Sequence, residues 1–400
     1  MKRMNVPARR VAIGLAWTLC VAAAASAASE SVDAFVARHW RMPLAPQGTP
    51  PARFEALEAS LQPEACGTCH PAQLADWRTS LHAAAMGPGV AGQLAEMLET
   101  DPESALSCLE CHAPLAEQAP QRRGPRGAIR PNPAFDAKLH PRGITCAACH
   151  VRGHQRFGPP KRDGSLTSAL PGRQLPHNGV TRTAAYLRSE FCRVCHQFGP
   201  DGFALNGKPL EDTYSEWRAS RFAVADVQCQ DCHMPDRRHL WRGIHDPEMV
   251  RSGLTFVVET GPGRALLRVE NTGVGHAFPT YVTPLVALRA ELVDAAGRAV
   301  AGSRTEVVIA RQVAMDLSRE LADTRLHPGQ HAELRWSRRA APAGTRLRFS
   351  VVVYPDAFYT RFFESLLAQG AGRGAAQIRQ ALEASRRSAF TVFERELAPP

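Results

Sequence analysis

Five times in 400 residues the chain places two cysteines three positions apart and a histidine directly after the second. The units are Cys66-Gly-Thr-Cys69-His70, Cys108-Leu-Glu-Cys111-His112, Cys146-Ala-Ala-Cys149-His150, Cys192-Arg-Val-Cys195-His196 and Cys229-Gln-Asp-Cys232-His233. At this composition chance supplies on the order of 0.01 such units in a chain of this length. A feature this regular dictates what the surrounding segment folds around. It is the attachment signature of a c-type haem.

The spacing has a chemical reason. Two thiols three residues apart reach the two vinyl groups on one edge of a porphyrin. The histidine that follows reaches the iron from one face, and the axial ligand is one of the protein's main levers on redox potential. Structural zinc is the competing reading. An all-cysteine zinc site takes two C-x-x-C pairs. Five pairs leave one over, and zinc gives no reason for a histidine after each. A disulfide inside C-x-x-C is usually a redox device and is rarely one of five. The expectation is therefore five covalently attached haem c groups.

Ten of the 11 cysteines lie in these units. The eleventh, Cys20, falls in an N-terminal segment read as an export signal over residues 1–28. That segment has a basic start (Lys2, Arg3, Arg9, Arg10), an apolar run from Val11 to Ala25, and small residues where a signal peptidase cleaves. Arg9-Arg10 hints at twin-arginine export. The general secretory route fits haem attachment better, because attachment follows passage of an unfolded chain. The expected location is periplasmic, with outer-membrane or extracellular placement and peripheral membrane association also compatible. No second long apolar run is present.

Charge gives no case for nucleic acid. The formal charge is +10, and removing four basic leader residues leaves +6. Each ferric haem with two propionates adds roughly −1, which brings the loaded protein close to neutral. Arginines near the haems would pair with propionates.

The motifs divide the chain. Residues 29–250 hold all five, at a density too high for each haem to have its own core. The expectation is a mostly helical, loop-rich domain, with helices at Pro51–Leu61, Pro71–Met86 and Thr213–Ala225. Long Pro/Gly/Arg-rich loops such as "GPPKRDGSLTSALPGRQLP" would wrap porphyrin edges. Residues 251–400 change period. "RALLRVE", "LVALRAELVD", "TEVVIARQV", "HAELRW" and "TRLRFSVVVY" alternate apolar and polar residues and are separated by turn signals. They predict an antiparallel β-sandwich of about seven strands, immunoglobulin-like, with a helix at Gly374–Arg387 and a last strand at Ser388–Leu397. The class is α+β. One internal echo stands out: "WRTSLHAA" from Trp77 resembles "WRASRFAV" from Trp217, with His82 in the first where the second has Phe222.

The segments "CGTCHPAQLADWRTSLHAAAM", "GITCAACHVRGH", "EFCRVCHQFG" and "DTYSEWRASRFAVADVQCQDCHMP" resemble the multihaem cytochromes of the cytochrome c-554-like group. "ENTGVGHAFPTYVTP" looks like the β-domain appended to many of them. The resemblance implies stacked, mostly bis-histidine haems that carry electrons in the periplasm. It also implies redox proteins as partners: other cytochromes, quinol-linked or terminal reductases.

Ten histidines remain beyond the five in the motifs. His82 follows a W-x-x-S-x-H pattern that resembles the family's distal ligand. His154 matches a family histidine that binds a neighbouring haem. His239 and His245 follow Cys232 too closely to fold over the haem attached there, so each is expected to reach a neighbouring one. His276, in "GVGHAFPT", is expected to project from the β-domain. For His177 and His140 a ligand role and a loop or propionate contact stand side by side. His39, His327 and His331 read as surface residues. Met86 is the best-placed methionine, although a helical Met is more often core packing.

Two functions compete. Bis-histidine haems make an electron carrier. A reductase or oxidase acting on nitrogen or sulfur oxyanions, hydroxylamine or peroxide needs one iron with an open position. Pentahaem nitrite reductases usually carry one C-x-x-C-K motif. All five motifs here end in histidine, which favours the carrier and leaves room for a histidine-ligated open haem.

Overall fold

The computed structural model describes residues 30–167, 175–337 and 341–400. The expected leader over 1–28, Cys20 and part of the 158–176 loop lie outside these residues. Val32–Pro400 forms one compact unit.

The first half of Val32–Pro400 is short helices joined by irregular chain. Helix α1 (Val32–His39) buries Phe35, Val36 and His39. They pack against Leu115, Leu139, Ala148, Phe157 and Tyr186. Helix α2 is Pro71–Arg78. Helices α3 (Pro88–Thr100) and α4 (Pro102–His112) both begin with proline, whose missing N–H falls where a helix needs none. Asp101 accepts the Ser104 N–H and caps α4. The two helices share a core of Leu94, Ala105, Leu106 and Leu109.

The motifs sit on helical turns: the end of α4, α5 (Cys146–His150), α6 (Arg193–His196), and α8 (Cys229–His233), with α7 (Thr213–Arg218) between the last two. The first motif begins within the turn Pro63–Gly67. A helical turn puts residues i, i+3 and i+4 on one face, so both thiols and the imidazole of each motif converge. A small hairpin, β1 (Ala204–Leu205) with β2 (Lys208–Pro209), precedes α7.

Helix α9 (Pro247–Gly253) leads into the β half. Its strands are β3 (Leu254–Gly261), β4 (Arg264–Asn271), β5 (Leu285–Val293), β6 (Thr305–Ile309), β7 (Arg311–Val313), β8 (Glu320–Asp323), β9 (His331–Ser337), β10 (Arg346–Tyr354) and β11 (Phe390–Leu397). One sheet has the order β9-β4-β3 and the other β6-β5-β10-β11, all antiparallel. Alternation sets the faces: in β4, Ala265, Leu267, Val269 and Asn271 are buried in turn. Leu267, Val269, Leu288, Trp336, Phe349 and Val351 form one core shared by the two sheets. The segment read as one strand, "TEVVIARQV", is split. Its second half, β7, pairs with β8 in a separate ribbon.

Helices α10 (Ala357–Ala368) and α11 (Ala375–Arg387) interrupt the chain between β10 and β11. They pack on α3. The approach is close enough that a Cβ on Gly374 would lie 1.8 Å from Gly92 O.

Three sequence expectations need correction. The helix expected over Pro71–Met86 ends at Arg78, where the Ser80 hydroxyl donates to Trp77 O and the chain turns. The helix expected at Pro51–Leu61 is one turn, Ala56–Ala59. His39 is buried, at 1 % exposure, and stacks on Phe35.

Candidate haem-binding sites

None of the ten motif cysteines is in a disulfide. Three contacts join different motifs: Cys66 with Cys146, Cys111 with Cys195, and Cys192 with Cys229. The attachment edges of the first and third, second and fourth, and fourth and fifth motifs therefore abut. No group of three or more His, Cys, Asp or Glu side chains able to hold a metal ion occurs among the described residues.

Imidazoles instead meet in opposed pairs. His82 and His196 have ring centres 6.4 Å apart at 40°. His150 and His239 are 6.2 Å apart at 38°. His233 and His276 are 6.3 Å apart at 12°. A metal–imidazole bond of about 2 Å, with about 1 Å from nitrogen to ring centre, puts two axial rings about 6 Å apart. Each pair thus has the spacing for one metal atom bonded to both rings, and each contains one motif histidine.

The second ring nitrogen supports this geometry. Nδ1 of His112 bonds Ala85 O at 2.7 Å, that of His150 bonds Phe157 O at 2.8 Å, and that of His233 bonds Arg242 O at 2.6 Å. Nδ1 of His239 bonds Arg237 O at 3.1 Å, that of His276 bonds Ala277 O at 2.9 Å, and that of His177 bonds Gly179 O at 3.0 Å. A proton fixed on Nδ1 leaves the Nε2 lone pair for a metal. Burial holds these rings neutral, with His82 at about 3 and His150 and His276 at about 4.

His177 is within electrostatic reach of His70. Among the described residues no imidazole ring stands opposite His112. A cavity of about 170 Å³ is lined by Gln93, Tyr281, Thr283, Met315 and Tyr359, among others. Both tyrosines sense Cys108, and burial pushes Tyr359 up to about 12.

Two expected ligands stand elsewhere. His154 has a φ of 60° and bonds Gly48 O through Nε2 at 3.0 Å. His245 directs Nε2 to the Asp356 carboxylate at 3.1 Å. In both, the nitrogen that an axial ligand uses is engaged with protein, so this placement does not bring either to a motif histidine. His140 bonds Gln118 O through Nδ1 and packs against Phe135. Met86 is core, beside Leu94 and Leu106. His327 and His331 are exposed. Sequence reasoning missed the carbonyls that accept from Nδ1, which no side-chain pattern signals. It also missed Tyr281 and Tyr359.

No described helix is long and apolar enough to cross a membrane. A search of curated proteins found no match. The solved structure of a penta-heme cytochrome c552 from Thermochromatium tepidum is similar in fold, with a TM-score of 0.59 at 20% identity, covering 86% of this chain and 100% of that one. Residues 65–151, which hold three of the five motifs, match the family described as Cytochrome c554 and c-prime. That match, with a fold shared over most of the chain, supports a multihaem c-type cytochrome.

Proposed function

We propose that this protein is an exported, periplasmic electron carrier with five covalently attached haem c groups. It would pass electrons between partner redox proteins such as other cytochromes and quinol-linked or terminal reductases. The observation that carries the reading is the set of three opposed imidazole pairs, each holding one motif histidine. The name of the similar structure, a penta-heme cytochrome, supports the count.

The ten motif cysteines hold the groups as thioethers, and His70, His112, His150, His196 and His233 are the proximal ligands. Across from them, His239 serves the site of His150, His82 that of His196, and His276 that of His233. His177 is assigned to the site of His70 through its carbonyl-bound Nδ1 and a charge interaction with His70 that His150 and His239 share. His154 and His245 are left out because of their engaged Nε2 atoms. Bound haem c supplies a one-electron iron couple. The chain's part is to tether, to fix each imidazole tautomer through a backbone carbonyl, and to hold the sites in contact. Cys66 touches Cys146, Cys192 touches Cys229, and Cys111 touches Cys195, so the first and third sites adjoin, as do the second, fourth and fifth.

Mass spectrometry of the mature protein should show five haems, and low-temperature EPR of the oxidised protein should be dominated by low-spin signals. Three or fewer haems, or bound zinc, would sink the reading.

One observation favours a second reading, an oxidoreductase with one open iron. His112, like His70, has no facing imidazole ring in contact among the described residues, and the two tyrosines of the cavity are within electrostatic reach of Cys108. A full high-spin signal that shifts on adding nitrite, hydroxylamine or peroxide, with turnover, would establish it over the carrier.

A further inference from the structure

The two copies of the W-R-x-S unit share more than sequence. Trp77 Nε1 donates to Ile144 O at 2.8 Å, and Trp217 Nε1 to Val227 O at 2.9 Å. The Ser80 hydroxyl donates to Trp77 O, and the Ser220 hydroxyl to Trp217 O, both at 2.7 Å. An acidic residue precedes each tryptophan, Asp76 in the first copy and Glu216 in the second. Both carboxylates are buried, with side chains 8% and 5% exposed.

Each carboxylate does the same thing. Asp76 accepts the backbone N–H of His239 at 3.0 Å and is gripped by Arg238 through Nε at 2.7 Å and Nη2 at 2.6 Å. Glu216 accepts the backbone N–H of Ala277 at 3.1 Å and the Arg325 guanidinium at 2.8 Å. His239 faces His150, and His276, next to Ala277, faces His233. Both carboxylates therefore hold the backbone of a segment that carries a facing histidine, each with an arginine as its second partner.

The copies differ at the position five residues after the tryptophan. In the first, His82 itself faces His196. In the second, Phe222 stands there, and the β4–β5 loop presses against it. A Cβ on Gly275 would lie 3.3 Å from Trp217 Cδ1 and 3.4 Å from Phe222 Cβ. Asn271, at the end of β4, shapes that loop by donating to His276 O at 3.0 Å and accepting from the Val274 N–H. The second copy has no histidine of its own, and the sandwich delivers one over it.

We infer that Asp76 and Glu216 are paired positioning residues that set two distal histidines, His239 and His276, against their irons. This rests on the ligand assignments proposed above. A carboxylate is suited to this role because it pairs with an arginine, buried Arg325 in one copy and exposed Arg238 in the other, and accepts a backbone N–H at a fixed distance. Removing it leaves the backbone N–H of His239 or Ala277 without its acceptor and cuts the segment's tie to Arg238 or Arg325, so the loop relaxes away from the iron.

The test uses the full-length protein with its haems attached. Glu216→Ala and Asp76→Ala are compared with Glu216→Gln, His276→Ala and His239→Ala by EPR, redox titration and addition of imidazole. The expected result is that each carboxylate-to-alanine variant moves one haem toward high spin. Its ligated-to-open ratio should fall roughly tenfold or more, the scale of a lost charged hydrogen bond. The two variants should affect different haems, the affected haem's potential should shift, and imidazole should restore the low-spin signal. Glu216→Gln, which keeps an acceptor for Ala277 N–H, should fall between Glu216→Ala and the native protein.

Unchanged spectra and potentials in both carboxylate variants, while His276→Ala and His239→Ala each open one iron, would overturn the inference and leave the ligand assignments standing. Unchanged spectra in the two histidine variants would instead overturn the assignments themselves. If Glu216→Ala fails to accumulate, Asp76→Ala decides, since its partners Arg238 and His239 lie outside the sandwich.

Discussion

The imidazole of His82 stands 6.4 Å from that of His196, so a histidine from the chain after the first motif faces the histidine of the fourth. The ring of Trp241 lies 4.7 Å from His82 and packs beside the pair. His82 stays neutral because burial, and then His196 and His233, hold it at about 3. His82→Ala should convert one haem, the one at Cys192 and Cys195, from low spin to high spin and leave the others unchanged. The fold should survive, because two thioethers and His196 still tether that group. Imidazole should restore the low-spin spectrum. A native-like spectrum in His82→Ala would reject the assignment.

His154 and His245 test the same scheme from the other side. His154→Ala should add no high-spin signal, and it should cost about 1 kcal/mol through loss of the Gly48 hydrogen bond. His245→Ala should also leave the spectrum alone and cost less, because the bond to Asp356 is solvent-accessible. A new high-spin haem in either variant would mean that the nitrogen bonded to protein here is bonded to iron in the loaded protein.

What the sequence disclosed follows from how local each constraint is. The motif residues are legible because covalent attachment needs two thiols and an imidazole within five positions. Strands such as Arg264–Asn271 are legible because one buried face leaves a period of two. Helix α3 escaped notice because its proline start and two glycines obscure the period of Val90, Leu94, Met97 and Leu98. The histidine pairing was legible only in part. Tether length from Cys232 pointed His239 away from its own motif, and the structure sets it opposite His150. Nothing local distinguishes His239 from His245, or marks His154 as bound to Gly48. Those outcomes depend on chain brought in from elsewhere.

Gly374 tests whether the C-terminal helices are fastened to the motif-bearing half. A Cβ there would meet Gly92 O at 1.8 Å, and the neighbour is backbone that cannot rotate aside. Gly374→Ala should destabilise the protein by about 1–3 kcal/mol, the usual cost of overpacking. Denaturant melts of the loaded protein measure this directly. Unchanged stability would mean that α3 and α11 do not pack this closely in solution. The haem spectrum should not change, since none of the facing histidines lies on α3, α10 or α11.

Acid should loosen the junction between the sandwich and the β1–β2 hairpin. Asp323 accepts from Arg325 at 2.9 and 3.0 Å and from Lys208 at 2.5 Å, while Glu320 pairs with Lys208 and with buried Arg311. Arg311 in turn donates to the carbonyls of Leu205, Lys208 and Pro209. Burial pushes the Asp323 carboxyl up, but the Arg325 and Lys208 hydrogen bonds outweigh it and leave it well below the usual range. A carboxyl depressed in the folded state adds stability that is fully present above its unfolded value, about 3.9, and is lost as pH falls through the folded one. The buried, neutral His39 adds a separate loss that begins near its unfolded value of about 6.5, because the unfolded ring takes a proton first. That loss is common to native and variant protein and cancels in their difference. Asp323→Asn should therefore cost about 1–3 kcal/mol at pH 7, the scale of hydrogen bonds to a charged group. The gap between the two proteins should stay constant down to about pH 5 and close below about pH 4. Urea midpoints of both proteins across that range measure the gap, and a gap that persists undiminished to pH 2 would show that Asp323 is not the titrating group at this junction.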